Sequence, residues 1–296
     1  MKRILTVLIS ILTVSAMLMS FASCGSDGSA EETEVFTTDK AVYTESATPV
    51  GKTSAEVLDY FNSLVNGLKI SKPAISYRFE KNVPNDSLKV TKKGQEDAEE
   101  TDESLKAIND SASGIKDMIL EKIKKTTGDV PYGSDNSEVL FVKGESFTSA
   151  LTVEDIDYAT IKEVGDNYYI TIAFNDIDKN GDTDALAKAF DLRDKDTILA
   201  SEEFAKTSAY LKFNDYDVAY TDCKITATVN RLTDEITNIN YYKATLVTAD
   251  MTGAGTFESY GDVSVMFKLE DKADYNITWT NELPTSPLET ATAVSE

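Results

Sequence analysis

The chain has no histidine among its 296 residues and only two cysteines. The lack of histidine excludes Ser-His-Asp and Cys-His nucleophile systems and every metal site with an imidazole ligand. Basic residues are also few, 29 Lys and Arg against 51 Asp and Glu. This balance argues against nucleic acid as a partner, because binding to phosphates needs clustered cations. Hydrophobic residues make up 41%, which predicts a packed core.

The first 24 residues have the pattern of an export signal. Lys2 and Arg3 precede an apolar run over residues 4–21, which ends in Ala-Ser-Cys24. This pattern resembles the signal of bacterial lipoproteins, in which the cysteine after two small residues is acylated. The resemblance implies that residues 1–23 are removed and that lipid such as palmitate on Cys24 holds the protein at the extracytoplasmic face of the cell membrane. The alternative is an uncleaved anchor, since about 18 apolar residues can span a bilayer.

Composition divides the remainder into three parts. Residues 24–50 are rich in Ser, Thr, Glu and Gly without periodicity, which predicts a disordered tether. Residues 51–280 carry the periodic apolar patterns of a folded domain. Residues 281–296 have two prolines and little apolar content, which predicts a flexible tail.

Two amphipathic helices are predicted early in the domain. Thr53 and Glu56 have the spacing of a capping box, and apolar residues then recur at helical spacing up to Leu68. A second apolar stripe runs from Leu105 to Ile123 and ends in lysines, which suits the helix dipole. The acidic run before it is interpreted as a solvated helix start.

The later sequence alternates with period two, which predicts strands. Two of these strands flank Gly165-Asp166-Asn167, a hairpin turn, and a further turn is predicted at Glu270–Asp274, between two short strands. The predicted strands are 75–79, with 88–91 as its partner, then 159–164, 168–174, 216–229, 236–247, 263–269 and 275–279, and short helices are predicted at 185–190 and 197–206. The pattern indicates an α+β fold, a curved antiparallel sheet of five or more strands packed against the two early helices.

One loop has the residue spacing of a calcium site. Asp176, Asp178, Asn180, Asp182 and Asp184 match positions 1, 3, 5, 7 and 9 of a calcium loop. Position 12, normally a bidentate glutamate, is an alanine, and a strand precedes the loop where a helix is required. The loop is therefore either a polar Asx-rich connection or a weak calcium site, and no other cofactor is predicted.

Two further residue types were considered as functional groups. Cys223 has no partner if Cys24 is acylated, so it is predicted to be a buried apolar residue and not a reactive thiol. Tyrosines are frequent on the late strands, where they either stack on a ligand or reflect ordinary strand composition. These aromatic residues are Tyr216, Tyr220, Tyr241, Tyr242, Tyr260, Tyr275 and Trp279.

Three segments of the domain, Ala55–Lys69, Leu151–Phe174 and Ala219–Tyr242, resemble uncharacterised extracellular lipoproteins of Gram-positive bacteria. This resemblance implies no particular activity. The predicted architecture also resembles the half-barrel lipoproteins that carry lipids, of the LolA and LppX kind. That likeness implies an apolar gap between helix and sheet.

The sequence has no phosphate-binding loop, no nucleophile elbow and no marked carboxylate pair. We therefore expect a lipid-anchored extracytoplasmic binding or surface structural lipoprotein without catalytic activity, whose ligand or surface partner is unknown. The alternatives are a carrier of lipid or another apolar ligand, which requires a cavity of several hundred Å³, and a carboxylate-dependent hydrolase. A deep pair of ionisable side chains facing a groove would argue for chemistry.

Overall fold

The computed structural model describes residues 52–84, 87–95, 103, 105–106, 109, 125–140, 149–179, 181–192, 211–254, 258–259 and 261–280. Helix α1 spans Ser54–Ser71 and helix α2 spans Asp184–Ala187, with a 3₁₀ turn at Val153–Asp155. The strands are β1 Ala74–Asn82, β2 Lys89–Lys92, β3 Thr126–Val130, β4 Tyr158–Val164, β5 Asn167–Ala173, β6 Leu211–Asn230, β7 Glu235–Gly253 and β8 Asp262–Thr278.

All eight strands form one open antiparallel sheet in the order β3-β1-β8-β7-β6-β5-β4, and β2 pairs with β8 beside β1. The antiparallel sheet of five or more strands is confirmed, and of the two early helices predicted to pack on it the structure confirms the first. The hairpin is also confirmed, since β4 and β5 pair around Gly165, whose φ of 60° suits glycine. The prediction that 88–91 pairs with 75–79 is wrong, because β2 pairs with β8.

Helix α1 confirms the first of the two predicted helices. Its capping box is complete: the Thr53 hydroxyl accepts from the Glu56 amide at 3.4 Å, and the Glu56 carboxylate accepts from the Thr53 amide at 2.9 Å. The helix ends at Lys72, which has a left-handed φ of 47°. One side of the helix is buried on the sheet, through Val57, Leu58, Tyr60, Phe61, Leu64, Val65 and Leu68.

Of the second predicted helix, only Glu103, Leu105, Lys106 and Asn109 are described. These residues are helical, and Leu105 is buried. The tether, the tail and the predicted helix at 197–206 lie outside the described residues. In the described part of the chain, no helix combines the length and apolar composition needed to cross a membrane.

The two sheet faces differ sharply in polarity. Strands β7 and β8 pair without a bulge, from the pair of Asn238 with Asn276 to the pair of Thr252 with Asp262. Alternate residues of each strand therefore stay on one face throughout. The face under α1 carries Ile239, Tyr241, Tyr275 and Ile277. The opposite face is polar: there Asn238 donates to the Asn276 side chain at 2.8 Å, and Asn240 donates to Asn238 at 2.6 Å.

The predicted turn at Glu270–Asp274 is wrong, because β8 runs through it as one strand of 17 residues. The run of charged residues at 270–274 has the composition of a turn, but its side chains bond to residues of the neighbouring strands. Asp274 accepts from Arg78 on β1 at 2.7 and 3.0 Å, and Glu270 accepts from Tyr242 on β7 at 3.0 Å. Cross-strand partners of this kind stabilise charged residues within a sheet.

Strand β3 was not predicted, because its sequence Thr-Thr-Gly-Asp-Val is short and polar. Gly128 lies opposite Tyr77 of β1, and a Cβ at this position would overlap the Tyr77 ring. The glycine therefore lets the aromatic ring cover the neighbouring strand.

Two side chains form hydrogen bonds to backbone groups at the outer edges of the sheet. The Ser54 hydroxyl, in the first turn of α1, bonds both the amide and the carbonyl of Ala159 on β4, each at 3.2 Å. The Asn109 side chain does the same for Val90 on β2, accepting from its amide at 2.7 Å and donating to its carbonyl at 2.9 Å. Both side chains thus take the place of a neighbouring strand at these residues.

Candidate ligand-binding site

A cavity of about 120 Å³ lies against the sheet where β1, β8 and β7 run side by side. It is on the face that packs under α1, which we call the covered face. We call this cavity the aromatic cavity. Residues Val139, Ala189 and Phe190, which lie outside the strands, complete its lining. The full lining is Phe79, Glu80, Lys81, Val139, Ala189, Phe190, Asp191, Tyr241, Lys243, Asp271, Lys272, Ala273 and Tyr275.

The aromatic rings of the wall hold one another in edge-to-face contacts. Tyr241 stands between Phe190 and Tyr275, with ring centroids 5.9 and 6.0 Å apart and interplanar angles of 88° and 86°. Phe79 contacts Tyr275 in the same way at 5.8 Å. The Tyr275 hydroxyl donates to the Val139 carbonyl at 2.6 Å, which ties the loop to the sheet. Each contact of this kind contributes about 0.5–1.5 kcal/mol, so the wall is preformed.

Three charged side chains meet beside these rings, and we call them the Lys–Asp–Lys cluster. Lys81 Nζ lies 2.9 Å from Asp271 Oδ1, and Lys243 Nζ lies 3.5 Å from Asp271 Oδ2. The side chains of both lysines are only 8% exposed, and that of Asp271 is 18% exposed. Charges this far from water are normally retained only when paired, and here two ammonium groups share one carboxylate.

Strand register brings the cluster together. Asp271 is the direct partner of Lys81 on β1 and of Lys243 on β7, so the three residues form one row across the covered face. Sequence reasoning missed the cluster because its members are far apart in the chain. One signal in the sequence points to it: a charged residue stands at a position of the strand where the alternation predicts a buried apolar residue. Lys243 is that residue, two positions after Tyr241 and four after Ile239, on the same face.

The proposed calcium residues do not form a cluster of acids. Asp176 accepts from the Asp222 amide at 3.1 Å, and Asp182 accepts from the Asp184 amide at 2.9 Å, so both cap backbone groups. Within the described residues, no three Asp, Glu or Cys side chains are placed to hold a metal. Asn180 lies outside the described residues, and calcium binding by this loop stays a prediction.

Beside this loop lies a second cavity of about 350 Å³, which also includes Glu154 and Asp155 in its lining. Asp155 is buried and accepts from Lys188 at 2.7 and 2.9 Å. Despite burial, the Lys188 ammonium and the Thr152 amide and hydroxyl hold the pKa of the Asp155 carboxyl below its usual value. Asp155 is therefore an ionised structural anchor between the 3₁₀ turn and the end of α2.

Cys223 is buried, as predicted, with 2% of its surface exposed. Its Sγ lies 3.6 Å from the Thr221 carbonyl. Burial raises the pKa of the thiol to about 11. Cys24, the predicted lipidation residue, lies outside the described residues.

We expect Cys223 to resist thiol reagents in the native protein. Since its pKa is raised to about 11, the reactive thiolate is scarce at pH 8. The stability gained from keeping this thiol neutral is present below its unfolded pKa and is lost as the pH rises towards 11. Labelling with a chromogenic disulfide at pH 8, in a Cys24→Ser background, should be slow in buffer and complete in urea. Rapid labelling of the native protein would contradict this prediction.

The tyrosines of the late strands serve different purposes. Tyr241 and Tyr275 line the aromatic cavity, whereas Tyr216 and Tyr220 are buried elsewhere on the sheet. Tyr242 lies on the polar face, with Lys224 and Lys272 Nζ 5.5 and 5.8 Å from its ring centroid. Tyr260 lies outside the described residues, and Trp279 donates to the Ile236 carbonyl at 2.7 Å. Of the aromatic residues considered as ligand contacts, Tyr241 and Tyr275 are therefore the ones placed to contact a ligand in the aromatic cavity.

No protein-family model, curated protein or solved structure matches this chain. The geometry of the aromatic cavity therefore carries the functional argument alone.

Proposed function

We propose that this protein is a lipid-anchored extracytoplasmic binding protein without catalytic activity, which holds a small ligand in the aromatic cavity. The observation that supports this most is the combination of a preformed apolar wall with three convergent charged side chains in one cavity. Ligand sites in proteins have this composition: mostly apolar walls with a few polar groups that fix orientation.

Cavity size favours a small ligand over a lipid. An apolar cavity of about 150 Å³ accommodates one benzene molecule. The aromatic cavity, at about 120 Å³, therefore has space for a ring-sized group. Carriage of a whole acyl chain, the alternative based on the half-barrel lipoproteins, needs an apolar cavity of several hundred Å³. The second cavity has such a size, about 350 Å³, but five acidic residues line it.

The Lys–Asp–Lys cluster is a buried group of ionisable side chains that faces a cavity, which is the arrangement expected to argue for chemistry. The hydrolase alternative nevertheless has less support than binding. Asp271 faces the cavity, but its carboxylate is paired with the ammonium groups of Lys81 and Lys243 and not with a second carboxylate. A glycoside hydrolase needs one carboxyl that stays protonated near neutral pH. The carboxyl pKa values that are displaced among the described residues all move down, namely those of Glu56, Asp135, Glu154, Asp155 and Glu270.

Membrane attachment through Cys24 is part of the proposal and rests on the signal-like residues 1–23. A diacylated cysteine supplies the two chains that stable anchoring requires. The tether of residues 24–50 then places the domain outside the membrane. We also propose that the stretch Leu105–Ile123 packs as the second helix against the sheet, since Leu105 is already buried.

Native mass spectrometry of the full-length lipoprotein, released from membranes in mild detergent, tests this function. We expect a mass that begins at an acylated Cys24, together with one adduct lighter than a membrane lipid. Ala273→Leu, which fills the cavity, should remove the adduct. Ala187→Leu, at an exposed position of α2, should keep it.

Three results would contradict the proposal. A homogeneous ligand-free mass would argue against a binding function in this cavity. An adduct with the mass of a fatty acid or phospholipid would favour the carrier instead. Unprocessed full-length protein in the cytosol would overturn the anchoring.

A further inference from the structure

The Lys–Asp–Lys cluster contains more positive than negative charge. Asp271 balances one of the two lysines, and it makes its shorter contact, 2.9 Å, with Lys81. Glu80 also lines the cavity, but its carboxylate lies 3.8 Å from Arg78 and 3.6 Å from Lys125. Asp191 contacts the cluster through its main-chain carbonyl. Of the two lysines of the cluster, Lys243 therefore has the longer contact with the shared carboxylate.

The contacts of Lys243 are long for so buried a group. Its Nζ lies 3.5 Å from Asp271 Oδ2 and donates to the Asp191 carbonyl at 3.5 Å, while only 6% of the residue is exposed. Hydrogen bonds from an ammonium to a carboxylate are ordinarily about 2.7–2.9 Å long. Asp271 Oδ2 is itself buried without a hydrogen bond from the described residues. The three N–H groups of Lys243 thus have capacity for a closer acceptor.

An acceptor placed in the aromatic cavity would lie next to Lys243, because both Lys243 and the rings of Tyr241 and Tyr275 line it. An anionic oxygen near Lys243 would balance the second ammonium and shorten its hydrogen bonds. The apolar remainder of the same molecule would contact the rings and Ala273. A monoanion with a ring-sized apolar group meets both requirements.

We infer that the cavity binds a small carboxylate with an apolar, ring-sized body, whose anionic group is held by Lys243. This inference rests on the proposed function and names the ligand class of the same site. It separates the site from a lipid carrier, whose ligand is long, and from a site for neutral sugars, whose ligand has no charge to balance Lys243.

The test is titration calorimetry on the full-length lipoprotein in mild detergent at low salt. The probes are benzoate, its neutral amide benzamide, and palmitate. A charged hydrogen bond typically changes affinity by about 10-fold or more, so benzoate should bind at least about 10-fold more tightly than its neutral amide. Palmitate has the same carboxylate, but its chain is too long for a cavity of about 120 Å³, so it should bind more weakly than benzoate.

Variants locate the effect on one residue. Lys243→Met should weaken benzoate binding at least about 10-fold and leave benzamide binding unchanged. Lys243→Arg, which keeps the charge, should retain most of the benzoate affinity. Lys224→Met, on the opposite face of the sheet, is the matched control and should behave as the wild type.

Equal binding of benzoate and benzamide by the wild type would overturn the inferred ligand class, and this comparison needs no variant to fold. Unchanged benzoate binding in a folded Lys243→Met protein, or palmitate binding as tight as that of benzoate, would do the same. Absence of probe binding together with a native adduct would overturn the ligand class alone. Absence of both would overturn the proposed function as well.

Discussion

Asp271→Asn is expected to lower the free energy of unfolding by about 3 kcal/mol. The substitution removes the carboxylate that Lys81 and Lys243 share, and both lysines are 8% exposed at the side chain. Removing one partner of a buried ion pair typically costs about 3–5 kcal/mol, because an uncompensated charge stays away from water. Because the Asp271 side chain is 18% exposed, we expect a loss at the lower end of this range. Urea denaturation monitored by circular dichroism measures it.

Lys243→Met is the matched comparison for this prediction. It removes the second ammonium and leaves Lys81 and Asp271 as a balanced pair at 2.9 Å. We expect its free energy of unfolding to stay within about 1 kcal/mol of the wild type, because apolar replacements of buried charges are often neutral or stabilising. Equal destabilisation by both substitutions would show that packing, and not charge balance, governs the cluster.

Phe61→Ala is expected to cost about 3–4 kcal/mol of stability. Phe61 is 1% exposed and lies at the centre of the buried side of α1, within the core between helix and sheet. Large-to-small substitutions of buried phenylalanine typically cost about 3–5 kcal/mol, since they lose apolar burial and leave a cavity. Thermal and urea unfolding of the domain both report this loss.

Ile70→Ala, on the same helix, is the control. Ile70 is 54% exposed, so its truncation removes little buried surface, and we expect a change within about 0.5 kcal/mol. A similarly small effect at Phe61 would mean that α1 contributes little to the stability of the sheet.

Elements with strong local signals could be predicted from the sequence. The Thr53–Glu56 capping box and the apolar stripe behind it define α1, because both features act within a few residues. The turn at Gly165 likewise fixes the hairpin of β4 and β5, and simple alternation locates β6 and β7. In each case the decisive interaction lies close in the sequence or repeats along it.

Other features depend on distant pairing and could not be read locally. From the sequence alone, the charged residues at 270–274 predict a turn. They fit a strand only because β1 and β7, which are distant in the sequence, supply their partners. The candidate site depends even more on distance, since Lys81, Lys243 and Asp271 meet only through the register of three strands. A charge in phase with buried neighbours is the one local sign of it, and it becomes meaningful only when both adjacent strands are assigned.

The side-chain bonds at the sheet margins bear on crowding at a membrane. Anchored proteins meet one another at high density in two dimensions, and an open sheet offers unpaired backbone groups to its neighbours. Ser54 and Asn109 already engage such groups at Ala159 and Val90. They therefore hinder the pairing of sheet edges between copies of this chain, and under the proposed anchoring each copy would keep its own cavity accessible at high surface density.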